Sequence, residues 1–206
     1  MIPRSVLSFA PPRHAGDVVA AELVRCLLGG GVALVPTETV YGLVAHPGSG
    51  EATQQLFRLK GRPENRRLPV AVASLAQMEE VGAVVTAETR TLMQKHWPGP
   101  LTLVVGLDPG RTPPWMERRD EAAFRCPDNQ ILLDVLELTG PLLLTSANAH
   151  GDAPSATVDE ALAGLRGRPE HVVDGGPLPG VASTVLNLNV ARPAVERAGP
   201  IIPELG

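Results

Sequence analysis

The sequence predicts one α/β domain built on a single twisted, mixed sheet. Three observations carry this. Helical and strand-like periodicities interleave along the chain, with no Ser/Gly-rich linker and no internal repeat. A hydrophobic content of 44% over 206 residues is enough for a sizeable core, and 19% charged residues is too few for a disordered polyelectrolyte. Several strand-like segments follow one another with no room for a crossover helix, so antiparallel pairs must stand beside parallel ones. The domain is expected to span 1–206, with its core over about 17–200.

Each element has a local reason. Residues 17–28 (DVVAAELVRCLL) repeat apolar side chains at helical spacing, with Asp17 as the expected N-cap and Gly29-Gly30-Gly31 as the stop. Val32-Ala33-Leu34-Val35 is a short buried strand closed by Pro36. A helix follows from near Glu51 to Lys60, and Pro63 limits it. Leu68 to Ala73 reads as a strand, which Pro69 assigns to an edge or a strand start. Ser74 and Gln77 form a capping box for a helix through Val81. Another helix covers 87–96, and Trp97-Pro98-Gly99-Pro100 breaks it. Leu101 to Val105 is a strand, Pro109 to Asp120 a loop rich in Pro and Arg, and Ala122 to Cys126 a short strand. Gln130 to Thr139 is helical behind Asp128 or Asn129. Leu142-Leu143-Leu144 is a buried strand running into Thr145-Ser146-Ala147-Asn148. Thr157 and Glu160 open a helix to about Leu165, and Val172-Val173, Ser183 to Leu188 and Ala194 to Arg197 are three closing strands.

Composition narrows the function. Aromatics make up 3%, too few for a protein that stacks bases along a strand. The net charge is −4, against a general grip on duplex nucleic acid. Cys26 and Cys126 are far apart, and no Cys or His spacing suggests zinc. The first residues lack the apolar core of a secretory signal, and no apolar run is long enough to span a bilayer. These features predict a soluble cytoplasmic protein with reduced thiols and no membrane partner.

One segment breaks the acidic pattern. Arg58, Lys60, Arg62, Arg66 and Arg67 face only Glu64 between 57 and 68, so five cations against one carboxylate leave this window at +4. Crowded like charges repel, and an anion among them relieves the repulsion. Lys supplies a compact charge and Arg a planar fork, the two devices used to hold phosphate. A solvated helix end explains one or two such cations, but five in ten positions point to a ligand. Two polar segments are its expected partners. Pro36 to Gly42 carries two hydroxyls, a carboxylate and Tyr41, and Thr145 to Asn148 places hydroxyl and amide groups at the end of a buried strand. No P-loop, dinucleotide fingerprint or nucleophile elbow is present, so a nucleotide site here is built from dispersed side chains.

Eight motifs then occur in a recognisable order: VPTETVYGL (35–43), LKGRP (59–63), WPGPLTLV (97–104), FRCP (124–127), TSAN (145–148), DGG (174–176), STVLN (183–187) and ERAGP (196–200). In them the chain resembles the YrdC-like threonylcarbamoyl-AMP synthase family over nearly all of 17–200, in its short, single-domain form. The resemblance implies a twisted α/β domain around a central concave basic cavity. It implies ATP-dependent synthesis of L-threonylcarbamoyladenylate from L-threonine and bicarbonate, with pyrophosphate released. That product serves threonylcarbamoyladenosine formation at position 37 of tRNA, completed by downstream tRNA-modification proteins. Lys60 and Arg62 would be the catalytic pair on the ATP phosphates, with Mg²⁺ accompanying the nucleotide. Ser146, Asn148, Ser183 and Arg197 would complete the ATP site, and Thr37, Tyr41, Thr102 and Arg125 the threonine and carbamoyl end. Ala71 and Ala182 stand where many members carry His and Glu, which keeps open a carbamoyl-adenylate enzyme with another acceptor. The remaining rival is a module that holds tRNA or double-stranded RNA on a basic surface without catalysis, marked by steep salt dependence.

Overall fold

The computed structural model describes residues 15–63 and 67–204. In chain order these form α1 (Ala15–Leu28), β1 (Val32–Val35), β2 (Gly42–Ala45), α2 (Gly50–Lys60), β3 (Val70–Ala71), α3 (Leu75–Glu80), α4 (Ala87–His96) and β4 (Leu101–Gly106). After a 3₁₀ turn at Pro114–Met116 come β5 (Glu121–Arg125), α5 (Gln130–Thr139), β6 (Leu142–Ser146), α6 (Val158–Gly164), β7 (His171–Val172), β8 (Thr184–Asn187) and β9 (Ala194–Arg197). All nine strands belong to one sheet, ordered β7-β1-β2-β6-β3-β5-β4-β8-β9. It is mixed as expected: β1–β2, β2–β6, β3–β6, β4–β5 and β8–β9 are antiparallel, while β1–β7, β3–β5 and β4–β8 are parallel.

Caps set the helix limits. Ser49, Ser74, Thr86, Asn129 and Thr157 each accept a backbone N–H of their helix's first turn. Glu160 closes its box on the amide of Ala156, and Gln77 turns back to that of Ala73. Asp17 is not a cap: α1 begins two residues earlier and Asp17 sits in its first turn, where a carboxylate still favours the helix dipole.

The strand expected over Leu68 to Ala73 narrows to two residues, and of the two positions Pro69 allowed, edge or strand start, the second holds: β3 is interior, between β6 and β5. Pro69 lies just ahead of it, and its carbonyl accepts from Leu144 at 3.0 Å, so the missing N–H costs the ladder nothing. The three closing strands do not close one edge: β7 pairs with β1 at one side, β8 and β9 extend the other. Strand β2 was hidden, because the polar run 36–42 before it reads as a loop exit.

The sheet's two faces are unequally covered. Alternate residues point to opposite faces. On the first face, Leu34, Leu43 and Leu143 pack under α2 and α6, and Val70, Phe124, Leu103 and Leu101 pack with α3, α4 and Met116. On the second, Ala33, Val44, Ala71, Leu142 and Leu144 pack against α1 and α5. Those two helices end there. The second-face residues of β4, β5 and β8 have no helix over them, and that bare stretch is where the cavity-lining residues gather.

Candidate active site

A cavity of about 250 Å³ opens over the bare stretch. Gly42, Leu144, Ser146, Ala123, Arg125, Thr102, Val104 and Val185 form its floor, in the alternation the ladders require. Arg62 and Arg67 flank one end and Arg197 with Glu196 the other, so four guanidinium groups meet around one small space.

Arg62 and Arg67 come from the loop after α2. Gly61 ends that helix in the left-handed conformation (φ 58°), and a Cβ there would strike the guanidinium of Arg166 at 2.5 Å. Arg62 Nη2 donates to the carbonyl of Arg67 at 2.8 Å, tying the loop to itself. Arg67 makes an exposed ion pair with Asp120 at 3.0 Å. Of the basic cluster, these two line the cavity; Arg58 lies exposed on α2, and Arg66 and Glu64 fall outside the described residues.

The opposite wall is held by strands. Thr102 Oγ1 lies 2.8 Å from Ser183 Oγ. Arg197 donates through Nε to the Ser183 carbonyl (2.9 Å) and through Nη2 to Ser183 Oγ (3.0 Å). An arginine only donates, so the two hydroxyls share one hydrogen between them and keep one to offer a ligand. Burial lowers the pKa of Arg197, and the nearby Arg125 charge lowers it further. Gly199 lets the chain beyond β9 press on this wall: a Cβ would sit 2.4 Å from Thr184 N.

The 37–40 turn shapes the floor's far end. Thr37 Oγ1 donates to the Val40 carbonyl at 2.7 Å and accepts from the amides of Thr39 and Val40. Thr39 Oγ1 accepts from Arg125 Nη2 at 2.7 Å.

Three expected site residues do not line the cavity. Lys60 is buried at 3% exposure. Its Nζ donates to the carbonyls of Ser146 and Asn148, the latter at 2.7 Å, which ties the TSAN segment to the end of α2. Burial lowers its pKa to about 8, assisted by the Arg62 charge. Asn148 turns its Nδ2 to the carbonyls of Ala149 and Asp152, both at 2.8 Å. Tyr41 is fully buried; its hydroxyl donates to Gly176 O (2.8 Å) and accepts from Gly175 N (2.9 Å), anchoring the DGG segment. Thr37, Arg62, Thr102, Arg125, Ser146, Ser183 and Arg197 are brought together as cavity-lining residues. Sequence reasoning missed Arg67 and Glu196 as cavity residues. Arg67 was visible as a member of the basic cluster, whereas Glu196 carried no signal of its own.

A mixed sheet with guanidinium and hydroxyl donors around a hollow on one face defines the class of this α/β domain. Residues 25–199 match the model of the Sua5/YciO/YrdC family, described as "Telomere recombination". A Bacillus subtilis protein described as threonylcarbamoyl-AMP synthase is 36% identical over 192 residues, covering 91% of this chain and 55% of that protein. A Pyrococcus abyssi protein of the same description is 33% identical over 183 residues, covering 88% of this chain and 53% of that protein. The chain thus spans about half the length of these relatives. The crystal structure of P. abyssi Sua5 complexed with L-threonine superposes with a TM-score of 0.79 at 32% identity, over 87% of this chain and 54% of that one. The chain belongs to the Sua5/YciO/YrdC family.

Proposed function

We propose that the chain synthesises L-threonylcarbamoyladenylate from L-threonine, bicarbonate and ATP. The observation that carries this reading is the convergence of Arg62, Arg125 and Arg197 with Ser146, Ser183 and Thr102 on one cavity. It is supported by relatives described as threonylcarbamoyl-AMP synthases and by the L-threonine complex of P. abyssi Sua5.

The threonine amine attacks the bicarbonate carbon, and water leaves as the carbamate forms. A carbamate oxygen then attacks the α-phosphorus of ATP, breaking its bond to the bridging oxygen and releasing pyrophosphate. Neither step needs a covalent enzyme intermediate. The protein contributes position and fixed positive charge as charge moves onto the leaving pyrophosphate. Arg62, Ser146, Ser183 and Arg197 face the nucleotide; Thr37, Thr102 and Arg125 face the amino acid and carbamate. Lys60, Asn148 and Tyr41 act from behind, by holding the TSAN and DGG segments. The cavity's donor set suits polyphosphate oxygens, and no cluster of three metal-ligating side chains occurs among the described residues. Mg²⁺ would enter with ATP, as part of the substrate.

The activity is assigned to one domain in the cytoplasm, feeding the tRNA-modification proteins that complete threonylcarbamoyladenosine at position 37. No helix among the described residues is long and apolar enough to cross a membrane. The test is pyrophosphate release from ATP with bicarbonate, run across the amino acids. Threonine-dependent turnover is expected. Turnover that prefers another amino acid reassigns the acceptor, and salt-sensitive RNA binding with no ATP consumption replaces the reading with a binding module.

A further inference from the structure

Glu38 is a buried carboxylate beside the cavity that the proposed reaction leaves without a task. Both its oxygens are closed off from solvent, and neither has an aligned hydrogen-bond donor. Its counter-charge is Arg125, whose Nη2 stands 2.9 Å from Oε1. Both side chains are largely buried, at 17% and 9% exposure. Two desolvated ions are costly unless the geometry they enforce is used.

The donors of Arg125 show what is enforced. Nη2 is gripped from two sides by consecutive residues, the Glu38 carboxylate and Thr39 Oγ1 at 2.7 Å. Thr39 is itself braced by Thr37, hydroxyl to hydroxyl at 2.8 Å. Nε is buried without a partner. Nη1 is neither bonded to the protein nor buried, so it is the nitrogen Arg125 offers to the cavity it lines. The charged groups around the pair are few: Arg197 across the cavity, whose charge interacts with Arg125, and Asp128, which with Glu38 raises the pKa of the Cys126 thiol. Removing the Glu38 charge leaves Arg125 facing Arg197 with no local anion to hold it.

We propose that Glu38 is a positioning residue that fixes Arg125 with Nη1 aimed at the carboxylate of the amino-acid substrate, setting affinity for the amino acid and not for the nucleotide. The carboxylate follows from the planar donor edge of a guanidinium. The identity of the ligand rests on the adenylate-forming reading above; the fixing of Arg125 does not.

The test is Glu38→Gln, which keeps the shape and removes the charge, alongside Thr39→Val, which removes the second grip and keeps the charge. In Glu38→Gln the KM for L-threonine should rise by about tenfold or more, the scale of one charge-assisted bond. The KM for ATP should stay near wild type while the melting temperature falls, as loss of one partner of a buried pair requires, and Thr39→Val should give a smaller rise in the threonine KM. An unchanged threonine KM overturns the proposal, as does an equal loss toward both substrates, which marks a structural role. If the wild-type chain shows no threonine-dependent turnover, the adenylate reading fails, and crystal structures of wild type and Glu38→Gln decide the remainder. An Arg125 guanidinium displaced from Thr39 in the variant supports the positioning role, and one left in place overturns it. Should Glu38→Gln not fold, the Thr39→Val kinetics decide by the same criteria.

Discussion

Arg125 and Arg197 reach the cavity from strands, and each is held by two contacts: Arg125 by Glu38 and Thr39, Arg197 by the carbonyl and hydroxyl of Ser183. Arg62 and Arg67 reach it from a loop, tied to each other through one backbone carbonyl, with Arg67 also in a solvent-exposed ion pair. The same functional group is thus presented in two ways. The strand-borne pair is preorganised by those contacts, so its position is set before any ligand arrives, although of the two only Arg125 is buried and Arg197 is exposed. In the loop-borne pair Arg67 is exposed, where screening weakens its ion pair, and Arg62 is half-buried; both stand on a connecting loop, where adjustment around a flexible polyphosphate is cheap. The proposed reaction, which orients a small amino acid and holds a triphosphate, has a use for both.

The strongest attempt to break this contrast is Arg125→Ala. It strips the strand wall of a charge and leaves Glu38 buried without a counter-ion, so unfolding in urea should show a loss of about 3–5 kcal/mol. A loss below about 1 kcal/mol would place Arg125 with the loop-borne pair.

Lys60 gives the next largest effect, and it is a pH effect. Its folded pKa of about 8 lies below the ordinary 10.5, so the folded state sheds this proton before the unfolded chain does. Stability from this group is therefore greatest above 10.5, declines as pH falls toward about 8, and is absent below that. Measured as wild type minus Lys60→Met, unfolding free energy should climb by on the order of 3 kcal/mol across that window. A flat difference would mean the amine is better solvated than its 3% exposure indicates.

Arg62→Ala and Arg197→Ala then sharpen the contrast. Each removes one charge-assisted contact, roughly 1.5–3 kcal/mol, so adenylate formation should fall by about ten- to over a hundredfold in both. Only Arg197→Ala should also lower the melting temperature, because it releases Ser183 and the hydroxyl pair. Equal melting temperatures would show that the strand wall does not depend on its arginine. The smallest effect is expected from Asp120→Asn: an exposed pair contributes little, and the KM for ATP should change by less than about fivefold.

Much of this was legible in the order of residues. Alternating periods gave the mixed α/β class, and Ser74, Asn129 and Thr157 announced their helices. Runs such as PTETVYG, KGRP and TSAN marked where polar groups leave the core. The reading was least informed where a residue's partner is distant in sequence. Pro69 left an edge or a strand start open, and β3 is interior because its neighbours β5 and β6 arrive from far along the chain. Lys60, which the resemblance implies as a phosphate ligand, has its amine on carbonyls 86 and 88 residues away, a contact that no local signal announces.

The chain's local chemistry by itself determined most of the helices and strands and the caps of several helices, and that a surplus of cations is gathered after α2. Only the tertiary structure decided which of those cations meet a cavity, that α1 and α5 leave part of one sheet face bare, and that Glu38 stands against Arg125. The reason is physical. Propensity and capping act within a few residues, whereas the burial of a charge and the direction of a donor depend on what long-range packing brings beside it.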